Sequence, residues 1–343
     1  MNKYILLLLP ILFNLSACKK GDSEASSNTL FTKMPSDKTG IKFINKLDYD
    51  KDFNIYKYRN FYNGGGVAIG DINNDGLPDV YMSSNMHHNK LYLNKGNMQF
   101  EDITEKAGVA GTKSWATGVT MADINGDGLL DIYVCNSGDI KGGTRENELF
   151  INTTSLSGGQ GGITFEEKAH EYGLDDKGLS THAAFFDYDK DGDLDCYLLN
   201  NSFRAIGSFN LQKNLRNTRD SLGGHKLFRN DGPLSFPPSG GRKGGFTDVS
   251  AQAGIYGSVQ AFGLGVMVGD VAGIVGRIFM SVMIFLKEII STSIKKMGLS
   301  KRILKINLGI VVRLQWVLIW LISTMMAYPM FSIQRCCLKV IGV

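Results

Sequence analysis

Histidine and cysteine are scarce in this sequence, and their placement narrows the kinds of site it can hold. Only five of the 343 residues are His and five are Cys. None of the histidines has a metal-ligand spacing such as H-E-x-x-H, and we expect the pair His87-His88 to lie in an exposed loop. Cys135 and Cys196 lie in strand-like stretches at unequal positions, so we expect buried thiols and no disulfide between them.

Acidic residues are nearly absent from the last 72 residues, which contain one Glu and no Asp. Residues 1–271 carry 27 Lys+Arg against 32 Asp+Glu, whereas residues 272–343 carry 10 against 1. The overall net charge of +4 therefore averages a segment of −5 and a segment of +9. Such a change marks a boundary near residue 272. An acidic first segment, followed by a basic one without a recognisable binding fold, argues against nucleic-acid binding.

The chain instead repeats one short acidic phrase three times, D-x-[DN]-x-D-G-x-x-D, followed each time by a strand-like run. Side-chain oxygens at positions 1, 3, 5 and 9 and a carbonyl near position 7 are the ligands that Ca²⁺ prefers, and the Gly at position 6 permits a sharp turn. The sequence therefore predicts three Ca²⁺ sites; the alternative is a solvated acidic turn without metal. The predicted ligands are Asp71, Asn73, Asp75 and Asp79 in loop 1, Asp123, Asn125, Asp127 and Asp131 in loop 2, and Asp187, Asp189, Asp191 and Asp195 in loop 3.

The residues flanking each loop exclude the EF-hand, which has nearly the same spacing. An EF-hand needs helices on both sides and a bidentate Glu at position 12, whereas position 12 here is Met82, Val134 or Leu198. Short apolar stretches, such as 66–69 before loop 1 and 132–134 after loop 2, predict buried strands instead. Each loop is therefore expected to be a turn between two strands.

Two further phrases recur after each loop. N-x-L-[YF]-x-N starts at Asn89 and Asn147, with a weaker version at His225, and F-x-[DE] starts at Phe100, Phe165 and Phe246. The first Asp of each loop and its fourth counterpart lie at 71, 123, 187 and 270, and we expect the growing intervals to be insertions at 155–162 and 203–224. Units of this length with several short strands favour β-propeller blades. A parallel β-helix with Ca²⁺ turns is the second interpretation, although its repeats are much shorter.

These phrases resemble FG-GAP/VCBS repeats, the blades of integrin-α-type β-propellers. Residues 54–67, which run into loop 1, further resemble secreted bacterial proteins of the ASPIC/UnbV, cartilage-acidic-protein-like group. The resemblance implies an all-β fold, an incomplete β-propeller over residues 41–271 with about three blades and the start of a fourth. It also implies a Ca²⁺ at the loop residues named above. The C-terminal ASPIC/UnbV region is not recognisable in this chain.

The repeat pattern stops at the fourth loop. Residues 261–271 repeat the lead-in to a calcium loop, but 272–277 replace the expected Asn-x-Asp-Gly. Met has a single codon, so part of the base sequence that encodes residues 325–327 can be inferred. Read from the third base of each codon, these bases permit Asn-Asp-Gly, and the same reading frame permits repeat sequence over residues 276–286. We therefore interpret 272–343 as out-of-frame translation of further blades, giving an apolar, basic tail that is helical or disordered.

A membrane segment near residues 303–331 is the alternative interpretation of this tail. Arg313 interrupts that stretch, and a central Arg costs about 2.5–3.5 kcal/mol on insertion scales. A helix there would not by itself indicate a function.

The first 18 residues have the pattern of an export signal. A short basic start precedes an apolar run over 4–15 and then Leu-Ser-Ala-Cys18. The run is too short to span a bilayer comfortably, and its ending resembles the bacterial lipobox, in which Cys18 becomes the lipidated first residue. Residues 19–40 then form a polar tether. We expect an exported outer-membrane lipoprotein, periplasmic or surface-exposed, held to the membrane by a lipid on Cys18; a plain secretory signal is the alternative.

Three hypotheses for the function follow from these features. The first is a non-catalytic, calcium-binding propeller anchored to the cell envelope, used for adhesion or for binding an extracellular protein or glycan. The second is a hydrolase or lyase on polysaccharide, or its accessory, for which the evidence is thin because the acid pairs belong to the calcium pattern. The third is a non-functional truncated product, since three blades with a foreign tail cannot close and leave sheet edges exposed.

Overall fold

The computed structural model describes residues 30–283, apart from 59, 139–143, 155–161, 203–217, 236–242, 260 and 270–277. The export signal with Cys18, most of the predicted tether and the tail beyond residue 283 lie outside the described residues. So do most of the two predicted insertions and the proposed membrane segment at 303–331.

Three four-stranded antiparallel sheets make up most of the described chain, each with its strands in sequence order. Blade 1 comprises β1 (Val67–Gly70), β2 (Asp79–Met82), β3 (Lys90–Asn94) and β4 (Phe100–Asp102). Blade 2 comprises β5 (Ala116–Ala122), β6 (Asp131–Asn136), β7 (Glu148–Asn152) and β8 (Phe165–Glu167). Blade 3 comprises β9 (Leu179–Phe186), β10 (Asp195–Asn201), β11 (Lys226–Asn230) and β12 (Phe246–Asp248).

The described residues form three helices, each a single turn outside the sheets: α1 (Ser36–Thr39), α2 (Thr104–Ala107) and α3 (Ala169–Tyr172). Helices α2 and α3 follow the F-x-[DE] phrase and end at the glycine that the sequence places after it. Gly108 and Gly173 have φ of 76° and 77°, a left-handed conformation that glycine adopts without a Cβ clash.

The innermost strand of each blade packs beside the innermost strand of the next, β1 beside β5, β5 beside β9, and β9 beside β13 (Gly263–Gly269). Hydrogen bonds repeat at these junctions: the Thr117 hydroxyl donates to the Ser180 carbonyl (2.8 Å) and the Thr181 hydroxyl donates to the Gly263 carbonyl (2.9 Å). Four-stranded meanders joined through their inner strands are propeller blades. The predicted all-β, propeller-like fold is confirmed.

Apolar cores lie between consecutive blades, not within one. Each core combines side chains of one blade with the facing side chains of the next. The first core joins Ala68 and Tyr81 to Val119 and Ile132, the second joins Tyr133 and Leu149 to Leu198 and Phe228, and the third joins Tyr197 and Leu227 to Val266. Cys135 and Cys196 are buried, unpaired thiols in the second core, as predicted. Each blade therefore depends on its neighbour for burial of its apolar side chains.

The segment before β1 packs against the start of blade 2 through aromatic rings. Phe53, Tyr58 and Phe61 surround Trp115, with ring centroids 4.9, 5.1 and 5.5 Å from that of Trp115. The four rings form a small core of their own. Trp115 has φ of 61°, which is rare for a bulky residue and is held here by the surrounding rings.

Two expectations from the sequence need correction. Strand β1 was expected to be buried, but Val67 and Ile69 are exposed, because no described blade precedes blade 1. Within the tail, expected to be helical or disordered, β14 (Ile278–Met283) pairs antiparallel with β13. Its β-branched and aromatic content and the open edge of β13 account for the strand. Among the described residues, the structure contains no helix with the length and apolarity needed to cross a membrane.

Candidate metal centres at the blade turns

Each acidic loop joins the first two strands of its blade, as predicted. In each blade the paired residues nearest the loop are the residue just before it and the position-9 aspartate. Gly70 pairs with Asp79, Ala122 with Asp131 and Phe186 with Asp195. The backbone is left-handed at positions 4 and 6 of every loop. The φ values are 56° at Asn74, 75° at Gly126, 68° at Lys190, 83° at Gly76, 88° at Gly128 and 102° at Gly192.

The position-1 aspartate holds the turn in loops 1 and 2. Asp71 accepts hydrogen bonds from the backbone N–H of Asp75 (3.1 Å) and Gly76 (2.7 Å), and the same bonds in loop 2 are 3.0 and 2.9 Å long. The position-3 amide turns its Nδ2 toward position 5: Asn73 donates to Asp75 at 3.0 Å. Oxygens of positions 1, 3 and 5 therefore converge, but part of their capacity is used by bonds within the loop.

Loop 3 brings its carboxylates closer together. Carboxylate oxygens of Asp187, Asp189 and Asp195 all lie within 4.8 Å of one another. It is the only such group of acidic, His or Cys side chains found in the described part of the chain. Asp193, an additional acid at position 7, has its pKa raised to about 6, first by burial and then by the charge of Asp191. Carboxylates this close repel each other unless a proton or a cation intervenes.

The position-9 aspartate has a structural task that the spacing of the phrase did not reveal. Asp79, Asp131 and Asp195 are fully buried. One oxygen of Asp131 accepts from the backbone N–H of Ile124 (2.9 Å) and the other from that of Asn152 (2.8 Å). The same two bonds are 3.0 and 2.7 Å in blade 1 and 2.6 and 2.9 Å in blade 3. This carboxylate therefore ties the start of the loop to the end of the third strand.

The last Asn of the N-x-L-[YF]-x-N phrase is the partner in that link. Besides donating its backbone N–H, Asn94 donates Nδ2 to the Pro78 carbonyl (2.9 Å) and accepts from the Gly96 N–H (2.9 Å). The equivalent side chains Asn152 and Asn230 make corresponding bonds. The sequence carried one signal for this link, because the two phrases recur together in every unit. Each phrase completes the hydrogen bonding of the other.

The first position of the same phrase explains its weak third copy. Asn89 and Asn147 accept a backbone N–H of the preceding strand end through Oδ1, at 2.9 and 2.8 Å. In blade 3 the Nδ1 of His225 accepts the Asn200 N–H at 3.2 Å. Burial lowers the pKa of His225 to about 4, so the ring is neutral and can accept. His225 thus replaces an Asn without changing the register.

Ion pairs of 4.0 Å or less in the described part of the chain include acids outside the loops, such as Asp176 with Lys226. Near loop 3, the pKa of Arg229 is raised, first by its hydrogen bond to Asp231 and further by the charges of Asp231, Asp189 and Asp195. Burial raises the pKa of Asp79 and of Asp195, and raises that of Asp131 to about 7, even though backbone bonds oppose the shift. Hard oxygen donors that are partly desolvated suit a divalent cation such as Ca²⁺.

Among the remaining predicted residues, His87 and His88 are exposed, as expected. A polar cavity of about 280 Å³ lies beside blade 2, lined by residues of both charge signs that include Lys113, Glu146 and His170. Glu146 lies 3.5 Å from the ammonium of Lys113 and of Lys177, and its pKa is lowered, first by its own backbone N–H and further by these lysines. The acids and bases of this cavity are therefore engaged with each other.

One family model and several known proteins match part of this chain. Residues 71–134 match the FG-GAP-like repeat family. The chain is similar to cartilage acidic protein 1, with 38% identity over 78 residues to that of Xenopus tropicalis and 36% over 73 and 76 residues to those of Mus musculus and Homo sapiens. These alignments cover 21–22% of this chain and only 11–12% of the relatives.

Proposed function

We propose that this protein is a calcium-stabilised β-propeller of the cell envelope that presents its loops to an extracellular protein or glycan and carries out no catalysis. The observation that supports this most is the recurrence of one turn geometry in three blades, together with the three carboxylates of loop 3 whose oxygens lie within 4.8 Å of one another. Millimolar Ca²⁺ outside the cytosol suits sites of this kind.

The side chains of Asp187, Asp189, Asp191 and Asp195 in loop 3 and the corresponding Asp and Asn side chains of loops 1 and 2 would hold Ca²⁺. A bound Ca²⁺ supplies positive charge that lets neighbouring carboxylates remain ionised in one place. The protein's own contribution is the two left-handed residues and the buried position-9 aspartate, which fix each turn to its blade. Loops fixed in this way can bind a partner with a smaller entropic cost.

Binding and turnover assays with the full chain test this function. We expect retention on a glycan array or on extracellular-matrix proteins in millimolar Ca²⁺ and its loss with a chelator. Asp123→Asn combined with Asp187→Asn should weaken retention, whereas Glu101→Gln, an exposed acid of β4 outside the loops, should not. Release of saccharide products from a polysaccharide panel would contradict the proposal and favour a hydrolase or lyase.

Anchoring by a lipid on Cys18 and location in the outer membrane belong to the same proposal, supported by the L-S-A-C sequence after the apolar run. Labelling with a radioactive fatty acid should mark the wild-type chain and not Cys18→Ser, and the variant should leave the membrane fraction. Labelling of the variant would contradict a Cys18 anchor.

We further propose that the complete gene product is a longer propeller of the ASPIC/UnbV, cartilage-acidic-protein-like group and that residues after about 272 are read out of frame. The codons of residues 325–327 support this, as does β13, which lies beside β9 at the position where a fourth blade would begin. Resequencing from codon 260 to beyond codon 343 tests it. A one-frame correction should restore Asn-x-Asp-Gly loops, whereas an unchanged frame and an intact mass of 37.7 kDa for the unprocessed 343-residue product would contradict it.

A further inference from the structure

Within the residues that the structure describes, the run of blades ends in two faces that no further blade covers. We call the side of a blade that meets the preceding blade its trailing face and the opposite side its leading face. In blades 2 and 3 the trailing face is buried: Val119 and Ala183 on the inner strands, and Ile132 and Leu198 on the second strands, are all inaccessible to solvent or nearly so. These side chains belong to the cores between blades, so each trailing face is covered by the blade before it.

Blade 1 has the same trailing face without a cover. Val67 and Ile69 occupy the loop-relative positions of Val119 and Met121, yet they are 58% and 66% exposed. Each lies opposite an apolar residue of β2, Val67 opposite Met82 and Ile69 opposite Val80, and both of these partners are only partly buried. Four apolar side chains therefore form a contiguous patch at the inner half of blade 1.

The outer half of this face is already covered. Tyr92 on β3 is 2% exposed, and its hydroxyl meets the backbone of Lys42 and Phe43 from the segment before β1. The N-terminal segment therefore packs on the outer strands and stops short of β1. The open patch is the part that an inner strand of another blade would contact.

The leading face of β13 is open at the matching positions. Thr117 and Thr120 of blade 2 donate hydrogen bonds to the Ser180 and Ala183 carbonyls of blade 3, each at 2.8 Å. Leu264 and Met267 stand at these same two loop-relative positions on β13 and are 38% and 66% exposed. Apolar side chains thus replace the two threonines where the next inner strand would lie.

We propose that, in the 343-residue chain, the open patch of blade 1 is an interaction surface for the leading face of β13 in a second copy; the further blades of the longer propeller proposed above would occupy the same two faces. The two faces are the separated halves of a contact that the chain makes three times within itself, between β1 and β5, β5 and β9, and β9 and β13. The contact is heterologous, because the patch on one copy meets a different face on the other. Two copies can close into a ring through two such contacts, and an unclosed series would grow.

The test uses the full 343-residue chain in detergent, with two different affinity tags. We expect wild type to be a dimer or larger by native mass spectrometry and to co-purify with the other tag. Ile69→Asp and Met267→Asp should each lower this association at least about tenfold, since a carboxylate must be desolvated in the contact. Met98→Asp, another exposed methionine but in the β3–β4 turn, is the matched control. Because all three side chains are exposed, circular dichroism should show folded variants.

Mixing the two interface variants gives the decisive result. The Ile69→Asp copy keeps an intact leading face and the Met267→Asp copy keeps an intact patch, so the mixture should form heterodimers through one contact and nothing larger. A monomeric wild type would overturn the proposal and leave the patch to another segment of the chain or to further blades. A mixture that stays monomeric, or a Met98→Asp variant that is equally impaired, would overturn it as well.

Discussion

The position-9 aspartate shows why the acidic phrase cannot be understood as a set of metal ligands alone. Its carboxylate accepts one backbone N–H from the loop and one from the end of the third strand in all three blades. Two charge-assisted bonds at a fully buried site stabilise the blade before any cation is considered. The phrase therefore combines a structural link with exposed oxygens at positions 3 and 5.

Asp131→Asn should destabilise the protein by about 1–3 kcal/mol even in a chelator, because the amide can accept only one of the two backbone bonds and leaves a buried N–H unsatisfied. Urea unfolding at pH 8 in EGTA measures this. Asp127→Asn, in the same loop but exposed, should change the free energy of unfolding by much less. Equal losses in the two variants would show that position 9 has no special structural role.

His225 should make blade 3 sensitive to acid, whereas blades 1 and 2 have an Asn at the same position. Burial lowers its folded-state pKa to about 4, below the unfolded value of about 6.5. Between these values the unfolded state binds more protons, so stability falls as the pH falls, by roughly 3 kcal/mol at pH 4.

His225→Asn supplies the acceptor that Asn89 and Asn147 provide in the other blades. It should retain the bond to Asn200 and reduce the loss of stability between pH 6.5 and 4, measured by urea unfolding across that range. His88→Asn, an exposed histidine, should follow the wild type. A His225→Asn variant with the full wild-type acid loss would contradict this account of the buried ring.

At the scale of the loops, a difference in charge predicts a difference in affinity. Loop 3 has Asp189 at position 3 where loops 1 and 2 have Asn, and carboxylate oxygens of Asp187, Asp189 and Asp195 lie within 4.8 Å of one another. More charged ligands and a preassembled site bind Ca²⁺ more tightly. Loop 3 is therefore expected to fill first in a titration.

Exchanging the position-3 residue tests this ranking. Asp189→Asn should weaken the tightest Ca²⁺ site by about tenfold or more, and Asn73→Asp should strengthen the site of loop 1, because ligand charge sets the affinity. Competition with a chromophoric chelator gives both constants. If Asp189→Asn leaves the tightest site unchanged, loop 3 is not the first to fill.

Much of the blade could be predicted from the sequence because its phrases are local. Each four-strand unit, its turns and the glycines after α2 and α3 follow from residue types at fixed spacing. The pairing of Asp131 with Asn152 could not be predicted in the same way, since it joins residues far apart in sequence. The packing of Phe53 and Phe61 on Trp115 has no periodic signal at all.

For the whole molecule, stability depends on contacts between blades, because the three larger apolar cores of the described chain are each shared by two neighbouring blades. The sequence predicted buried strands from apolar patterns, but whether a face is buried depends on its neighbour in the ring. Val67 is exposed and Val119 is buried although both fit the same pattern. The local sequence pattern therefore fails at the two ends of the run of blades. Strand β14 is a second example, since it forms by pairing with the open edge of β13.

A calcium titration of the full chain by isothermal calorimetry tests whether the acidic turns bind metal. We expect saturable heat at up to millimolar Ca²⁺, with about one site per loop, and a rise in thermal stability that chelator reverses. Mg²⁺ at the same concentration should give a smaller response, since it demands a stricter octahedral geometry. No heat and no change in unfolding temperature with Ca²⁺ would contradict the claim that these turns are metal sites.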